Sequence, residues 1–254
     1  MAIIAVYNIK GGVGKTATSV NLSHLSAKSD KKTLLCDMDP QGSASYYFRT
    51  KSKKKFSADK LLLGGKQIRK NIKATDYTNL DILPSDFTYR NLDLALDIYN
   101  KPTSRIDTIL QPLTKDYDNI FLDCPPNITL LSENIFEAAD ILLIPLIPTT
   151  LSLLSFDKLL DFFKQTGIKR NKLYLFFSMV QKQKVMHLDM MKRFSGQKRV
   201  LKQYIPFLSD IEKMGIHRKP VLDFTPNSVA SQAYRNMWLE IDLIIRKRLN
   251  PHFS

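Results

Sequence analysis

Seven residues near the start of the chain, Lys10-Gly11-Gly12-Val13-Gly14-Lys15-Thr16, have the composition and spacing of a phosphate-binding loop. Glycines let the backbone curl around an anion and turn successive N–H groups inward. A helix that begins near Lys15 would add the positive end of its dipole. Lys15 would then reach the outer phosphates, and the Thr16 hydroxyl would ligate Mg²⁺. This segment therefore predicts a nucleotide site that uses magnesium.

The loop departs from the usual pattern at its first position. Ile9 stands where that pattern begins with a glycine, and a second lysine, Lys10, opens the loop. Two later segments carry aspartates at the ends of apolar runs. They are Leu34-Leu35-Cys36-Asp37-Met38-Asp39-Pro40-Gln41-Gly42 and Ile120-Phe121-Leu122-Asp123-Cys124-Pro125-Pro126.

These three motifs, in this order, resemble the deviant Walker A, second-motif and Walker B segments of the ParA/MinD family of P-loop ATPases. The Asp-Pro-Gln-Gly sequence, the short chain and the segment from Lys219 to Arg235 resemble the short, Soj-like ParA branch. The resemblance covers nearly the whole chain. It implies one ParA-like ATPase domain over residues 1–254, with ATP and Mg²⁺ as cofactors.

Phosphoryl transfer needs mainly positioning and charge neutralisation from the protein. Lys15 is expected to neutralise the phosphates, while Thr16, Asp37 and Asp123 hold the metal. Asp39 is implied by the family to orient or activate the attacking water, although an aspartate before proline is also common in turns. The expected nucleotide-binding residues of the loop are Lys10, Gly11, Gly12, Val13, Gly14, Lys15, Thr16 and Ala17.

Lys10 resembles the signature lysine of this family, and the resemblance implies that it crosses a dimer interface to the partner's nucleotide. A charge supplied in this way can accelerate phosphoryl transfer by roughly 10³ to 10⁵. Lys10, Lys15 and Asp39 are therefore the expected catalytic residues, in a homodimer that forms when ATP is bound. The adenine pocket is expected near Met179, Pro206 and Phe207, where apolar residues could equally be ordinary core.

The charge is unevenly distributed. The formal net charge is +14, with 19 basic against 16 acidic residues in positions 1–150 and 19 against 8 in positions 151–254. Residues 49–73 carry ten basic residues against Asp59 alone, and residues 169–202 carry ten against Asp189 alone. Such clusters are typical of a polyanion partner, although a solvated surface has the same composition. The expected DNA contacts are Lys182, Lys184, Lys192, Arg193, Lys198, Arg199, Arg218 and Lys219.

Apolar runs alternate with helical patterns along the chain. Strands are predicted at residues 2–8, 33–37, 80–83, 119–123, 140–146 and 173–180, and helices at 15–28, 89–99, 104–113, 130–138, 153–165 and 227–248. This alternation predicts an α/β fold, a single-domain P-loop NTPase with a doubly wound, mostly parallel sheet flanked by helices. The two cysteines, Cys36 and Cys124, are expected to be small buried residues.

The leading hypothesis is a cytoplasmic, nucleoid-associated partitioning ATPase. Its ATP-bound dimers would bind DNA non-specifically, and a ParB-like or other cargo-bound activator would stimulate hydrolysis. The alternative is a MinD-like membrane-surface ATPase, for which Arg246-Lys247-Arg248 at the end of an amphipathic helix is the supporting feature. No apolar run approaches the roughly 20 residues of a membrane span, so no integral membrane segment is expected. A third hypothesis is a metabolic P-loop kinase, and the basic surface argues against it.

Overall fold

The computed structural model describes residues 1–99 and 101–249, and a seven-stranded sheet crosses this part of the chain. The strand order is β3-β4-β2-β5-β1-β6-β7, and every neighbouring pair is parallel except the antiparallel pair β3–β4. The strands are β1 (Ala2–Val6), β2 (Thr33–Asp37), β3 (Lys73–Ala74), β4 (Leu80–Leu83), β5 (Asn119–Asp123), β6 (Ile141–Leu146) and β7 (Leu173–Phe177).

The central strands are buried on both faces, which explains their continuous apolar sequences. Every residue of β1, β2, β5 and β6 is buried. β1 lies between β5 and β6, and its register sets Val6 opposite Asp123 on one side and Leu143 on the other. The carboxyl ends of these strands therefore meet at one end of the sheet.

Helices cover both faces. They are α1 (Lys15–Lys28), α2 (Ser43–Tyr47), α3 (Ala58–Leu63), α4 (Gly65–Asn71), α5 (Leu92–Asp97), α6 (Arg105–Leu110), α7 (Leu130–Ala138), α8 (Thr150–Thr166), α9 (Val185–Phe194), α10 (Ser209–His217), α11 (Val221–Phe224) and α12 (Val229–Leu249). One apolar core joins the sheet to α3 and α5–α8, and a second joins it to α1, α10, α11 and α12. The sheet is thus doubly wound, as predicted.

Local sequence signals explain several helix ends. Thr129 and Ser132 form a capping box at the start of α7, and the Thr149 side chain accepts a hydrogen bond from the Ser152 amide at the start of α8. That cap begins α8 three residues before the predicted start. Gly167, with φ of 72°, ends it in the left-handed conformation.

The predicted bounds of α1, β2, β4, β5 and α7 are confirmed, and the other predicted elements are present with shifted ends. The predicted first strand extended to Asn8, but the β1 ladder stops at Val6 because the chain turns into the loop there. Five short helices, α2, α3, α4, α10 and α11, and the two-residue strand β3 were missed. Cys36 and Cys124 are buried and free, as expected.

The helix that carries the candidate membrane anchor packs one apolar face in the core, while Leu239 and Leu243 are exposed. In α12, Met237, Ile241 and Ile245 are at most 4% exposed and pack in the second core. Within the described residues, no helix is both long and apolar enough to cross a bilayer.

Candidate nucleotide and metal site

The predicted phosphate loop connects β1 to α1, the strand and helix expected to position it. Gly14 immediately precedes α1 with φ of 88°, a conformation that residues with a side chain rarely adopt. A Cβ added at Gly14 would also lie only 3.0 Å from the Ser178 Oγ atom. Position 14 therefore requires glycine for both its backbone angle and its close packing against the end of β7.

The two loop lysines have different surroundings. Lys15 is 7% exposed, and its Nζ atom donates to the Lys10 carbonyl oxygen at 2.9 Å. Burial lowers the pKa of Lys15, and the nearby charges of Asp123 and Asp39 oppose this shift. The Lys10 residue itself is only half-buried. A bound phosphate would supply the negative charge that the buried Lys15 ammonium lacks.

Asn8, which the sequence did not single out, fixes the start of the loop. Its Oδ1 atom accepts from the Lys10 amide at 2.8 Å, and its Nδ2 atom donates to the Pro145 carbonyl at 2.6 Å. The side chain is 3% exposed. Asn8 thereby attaches the loop to β6, and the only sequence signal for this role is a polar residue directly after an apolar strand.

Asp37 and Asp123 lie side by side, because the β2–β5 register pairs them at the carboxyl ends of adjacent strands. The Asp37 Oδ2 atom accepts from the Ser45 amide and hydroxyl, both at 2.7 Å. The Asp123 Oδ1 atom accepts from the Ser19 hydroxyl at 3.0 Å. Burial is the main cause that raises the pKa of both carboxyl groups. The charge of Asp37 adds to the upward pKa shift of Asp123, and the charge of Asp39 adds to that of Asp37.

The second oxygen of each carboxyl group is a candidate ligand for a cation. Asp37 Oδ1 and Asp123 Oδ2 are buried and have no hydrogen-bond partner among the described residues. Two such oxygens, near the Thr16 hydroxyl that also approaches Asp123, fit a hard divalent ion. No cluster of three or more His, Cys, Asp or Glu side chains suited to a metal occurs in residues 1–99 and 101–249. Mg²⁺ typically takes one or two carboxylates and completes its shell with phosphates and water, so the residues fit it.

Asp39 lies in the turn between β2 and α2. Its Oδ1 atom accepts from the Gln41 amide at 2.9 Å, and its carbonyl accepts from the Ser85 hydroxyl at 2.5 Å. The residue is half-exposed, beside the site formed by Lys15 and Asp123. The turn contact predicted for an aspartate before Pro40 is thus present, and the second carboxylate oxygen is available to other partners.

The three expected adenine residues lie in one cavity with the phosphate loop. Met179, Pro206 and Phe207 line it together with Gly14 and Ala17. Backbone pairing brings them there, because Val180 forms a parallel bridge with Pro206 and the Phe207 amide donates to the Val180 carbonyl at 2.9 Å. The sequence did not single out the other lining residues, which are Ser178, Ile205, Leu208, Ile211, Glu212 and Tyr234.

The expected DNA contacts separate into two groups. Six are exposed around α9 and the following loop, where Val200 bridges Leu175 at the β7 edge of the sheet. We call this group the β7-edge surface: Lys182, Lys184, Lys192, Arg193, Lys198 and Arg199. Arg218 and Lys219 lie elsewhere and have intramolecular partners. The Arg218 Nε atom donates to the Tyr46 carbonyl at 3.0 Å, and Lys219 pairs with Asp223 at 2.8 Å.

Comparison with known proteins places these features in a family. A family model described as an AAA domain matches residues 1–174. A virulence plasmid ParA family protein of Chlamydia psittaci is 29% identical, with 95% of each chain covered. The sporulation initiation inhibitor protein Soj of Bacillus subtilis is also 29% identical, over 94% of this chain and 97% of Soj.

A solved structure agrees with this placement. The plasmid partition protein of Borrelia burgdorferi B31, bound to AMPPNP, superposes with a TM-score of 0.80 at 25% identity, covering 96% of this chain and 99% of that one. The matched family model spans the loop and both aspartate motifs, and the fold and relatives agree with it. The chain therefore belongs to the ParA family of P-loop ATPases.

Proposed function

We propose that this protein is a Mg²⁺-dependent ATPase with weak basal activity, which dimerises on ATP, binds DNA non-specifically and partitions a plasmid, chromosome or other cargo. The observation that carries the proposal is the carboxylate pair beside the loop. Among the described residues, Asp37 and Asp123 each keep a buried oxygen without a hydrogen-bond partner, next to the buried Lys15, whose Nζ atom bonds a backbone carbonyl. A Mg–nucleotide complex supplies the positive and negative charges that these groups need.

Each chain supplies binding and positioning groups for the reaction. The loop amides and Lys15 hold the phosphates, and Thr16, Asp37 and Asp123 would hold Mg²⁺, which neutralises charge on the phosphate oxygens. Asp39 orients the attacking water with the oxygen that its turn does not use. When phosphate binds, the hydrogen bond from Lys15 Nζ to the Lys10 carbonyl breaks. The loop backbone at Lys10 is then free to move.

Dimerisation completes the site. Lys15 already occupies the in-chain phosphate position, so the half-buried Lys10 is available to a second subunit. In the proposed dimer, Lys10 reaches the partner's nucleotide and stabilises charge as phosphate leaves. Hydrolysis by a single subunit is slow because this charge is missing.

The β7-edge surface is the proposed DNA contact. Its six basic side chains are exposed, and the described part of the chain places none of them in a salt bridge. Phosphate contacts by such residues carry no base preference. The Borrelia burgdorferi relative named for plasmid partition supports a partitioning role. A ParB-like or other cargo-bound activator would then stimulate the ATPase activity of this protein. The protein itself would be cytoplasmic and bound to the nucleoid.

The test is a salt titration of binding to two unrelated duplexes and to anionic liposomes, each with an ATP analogue and with ADP. We expect tighter DNA binding with the analogue, equal affinity for both duplexes, and a log–log salt slope of about −0.9 per phosphate contacted. A preference for liposomes would favour the MinD-like alternative, which would use the exposed Leu239 and Leu243 beside Arg246. Equal DNA affinity in both nucleotide states would contradict the switch.

A further inference from the structure

A second basic surface lies at the opposite edge of the sheet. Residues 49–73 carry ten of the basic residues with Asp59 as their one acid, and they lead into β3, the strand at the far edge from β7. Six inter-strand spacings of about 4.8 Å separate β3 from β7, which is roughly 29 Å. One compact ligand site cannot include both surfaces.

Four lysines of this segment converge on one cavity of about 160 Å³. We call Lys53, Lys55, Lys60 and Lys70 the β3-edge surface. Their cavity is also lined by Phe56, Gln67 and Asn71, so its lining within the described chain includes no acidic side chain. None of the four lysines forms a salt bridge to the described residues. Their positive charge is therefore not neutralised by neighbouring side chains.

The backbone that carries these lysines is held in place. Asn71, which is fully buried at the end of α4, accepts from the Lys53 amide at 2.9 Å and donates to the Ser52 hydroxyl at 3.1 Å. Phe56 is 7% exposed and packs in the first core. Lys60 donates to the Lys55 carbonyl. The lysine side chains thus project from an ordered scaffold whose backbone need not be rearranged on binding.

We infer that the β3-edge surface binds the phosphate backbone of DNA, as a second contact separate from the β7-edge surface. Lysine is depleted in protein–protein interfaces, whereas lysine and arginine are the usual partners of backbone phosphates. The inference rests on the proposed DNA-binding function and extends it. With a basic surface at each sheet edge, one subunit can contact two separate segments of DNA.

The experiment is lysine footprinting of the full-length protein with an ATP analogue, using an acetylating reagent and mass spectrometry. Reactivity is compared without ligand, with duplex DNA and with poly-glutamate of the same total charge. Lys32, which is exposed at the amino-terminal end of β2, is the internal control. We expect DNA to lower the reactivity of Lys53, Lys55, Lys60 and Lys70 by about threefold or more at low salt, and to protect them less at high salt.

The outcomes separate the two proposals. Protection at the β7-edge lysines alone overturns this inference and leaves the proposed function intact. Protection at neither edge overturns both. Protection of the β3-edge lysines by poly-glutamate but not by DNA identifies an acidic protein as the partner and also overturns the inference.

Matched variants give an independent measurement. One variant carries Lys53→Gln, Lys55→Gln, Lys60→Gln and Lys70→Gln, and the other carries Lys184→Gln, Lys192→Gln, Lys198→Gln and Arg199→Gln. Each removes four charges from one edge. We expect both to flatten the salt slope, with additive effects in the combined variant because the edges are far apart. A β3-edge variant with unchanged nucleotide affinity and an unchanged salt slope would contradict the inference.

Discussion

The Arg218 guanidinium lies over the Tyr46 ring, 4.4 Å from its centroid, while its Nε atom bonds the Tyr46 carbonyl. Tyr46 follows Ser45, the residue that donates twice to Asp37. The Arg49 side chain in turn donates to the Arg218 carbonyl at 2.8 Å. These contacts connect Asp37, a proposed metal ligand, to the junction between α10 and α11.

This relationship predicts that Arg218 stabilises the fold through Tyr46. Arg218→Ala should lower the free energy of unfolding by about 1–2 kcal/mol, since it loses a stacked cation and a charged hydrogen bond. Chemical denaturation of Arg218→Ala, Tyr46→Ala and the double variant gives the coupling energy, expected at about 0.5–1 kcal/mol. Lys219→Ala is the neighbouring control. Strict additivity of the two single changes would contradict the coupling.

Asp39→Ala should abolish ATP hydrolysis while retaining ATP binding and the ATP-dependent dimer. Asp39 has a carboxylate oxygen that does not take part in the Gln41 contact, whereas the proposed phosphate contacts come from other residues. Phosphate release and nucleotide affinity are the two measurements. Asp39→Asn keeps an oxygen that can accept the hydrogen bond of the turn but removes the negative charge. Comparing it with Asp39→Ala therefore distinguishes the effect of the turn contact from the effect of the charge. Hydrolysis at the native rate in Asp39→Ala would remove this role.

Lys10→Gln should bind nucleotide but fail to form the ATP dimer. Its backbone contacts to Asn8 and Lys15 survive the change, because they use the amide and carbonyl of residue 10. Sedimentation with a non-hydrolysable analogue measures the dimer. Lys15→Gln is the contrasting variant, and we expect it to lose its affinity for nucleotide. A stable Lys10→Gln dimer would exclude the proposed contact across the interface.

Gly14→Ala should weaken both the fold and nucleotide binding. A non-glycine residue at this positive φ costs about 1–2 kcal/mol, and the added Cβ would crowd Ser178. Thermal unfolding and the affinity for an ATP analogue are measured together. Gly11→Ala is the matched control, since its Cβ would have nothing within 4 Å. Equal effects at both positions would contradict this account.

Buried His24 should make the protein less stable in mild acid. Burial is the main cause that lowers the pKa of His24 to about 4, and Lys28 adds to the shift while Asp223 opposes it. Since the unfolded chain takes up this proton near pH 6.5, stability falls as pH drops from about 6.5 to 4, by up to about 3 kcal/mol.

The matching variant for this prediction is His24→Phe, which retains an aromatic ring against Tyr77. The difference in unfolding free energy between the native protein and this variant is measured by urea denaturation from pH 7.5 to 5. The native protein should lose more stability than the variant over this range. Parallel pH profiles would show that His24 does not titrate as described.

The phosphate loop, the two aspartate motifs and the alternation of strands and helices could be read from the sequence because each is a local signal. A run such as Leu34-Leu35-Cys36 fixes a buried strand, and glycines before a lysine fix a loop, whatever the rest of the chain does. The short helices α2, α3, α4, α10 and α11 carried no comparable signal. Each has only four to nine residues, and packing rather than periodicity stabilises them.

The tertiary structure decided which distant residues share a site. Parallel pairing of β2 with β5 set Asp37 beside Asp123, and the Val180–Pro206 bridge carried Phe207 to the cavity beside the loop. The tertiary structure also places Arg218 in contact with Tyr46, and it places the two lysine-rich segments at opposite edges of the sheet. Local sequence specifies the chemistry of each segment, whereas strand order and burial, which depend on the whole chain, determine what each side chain meets.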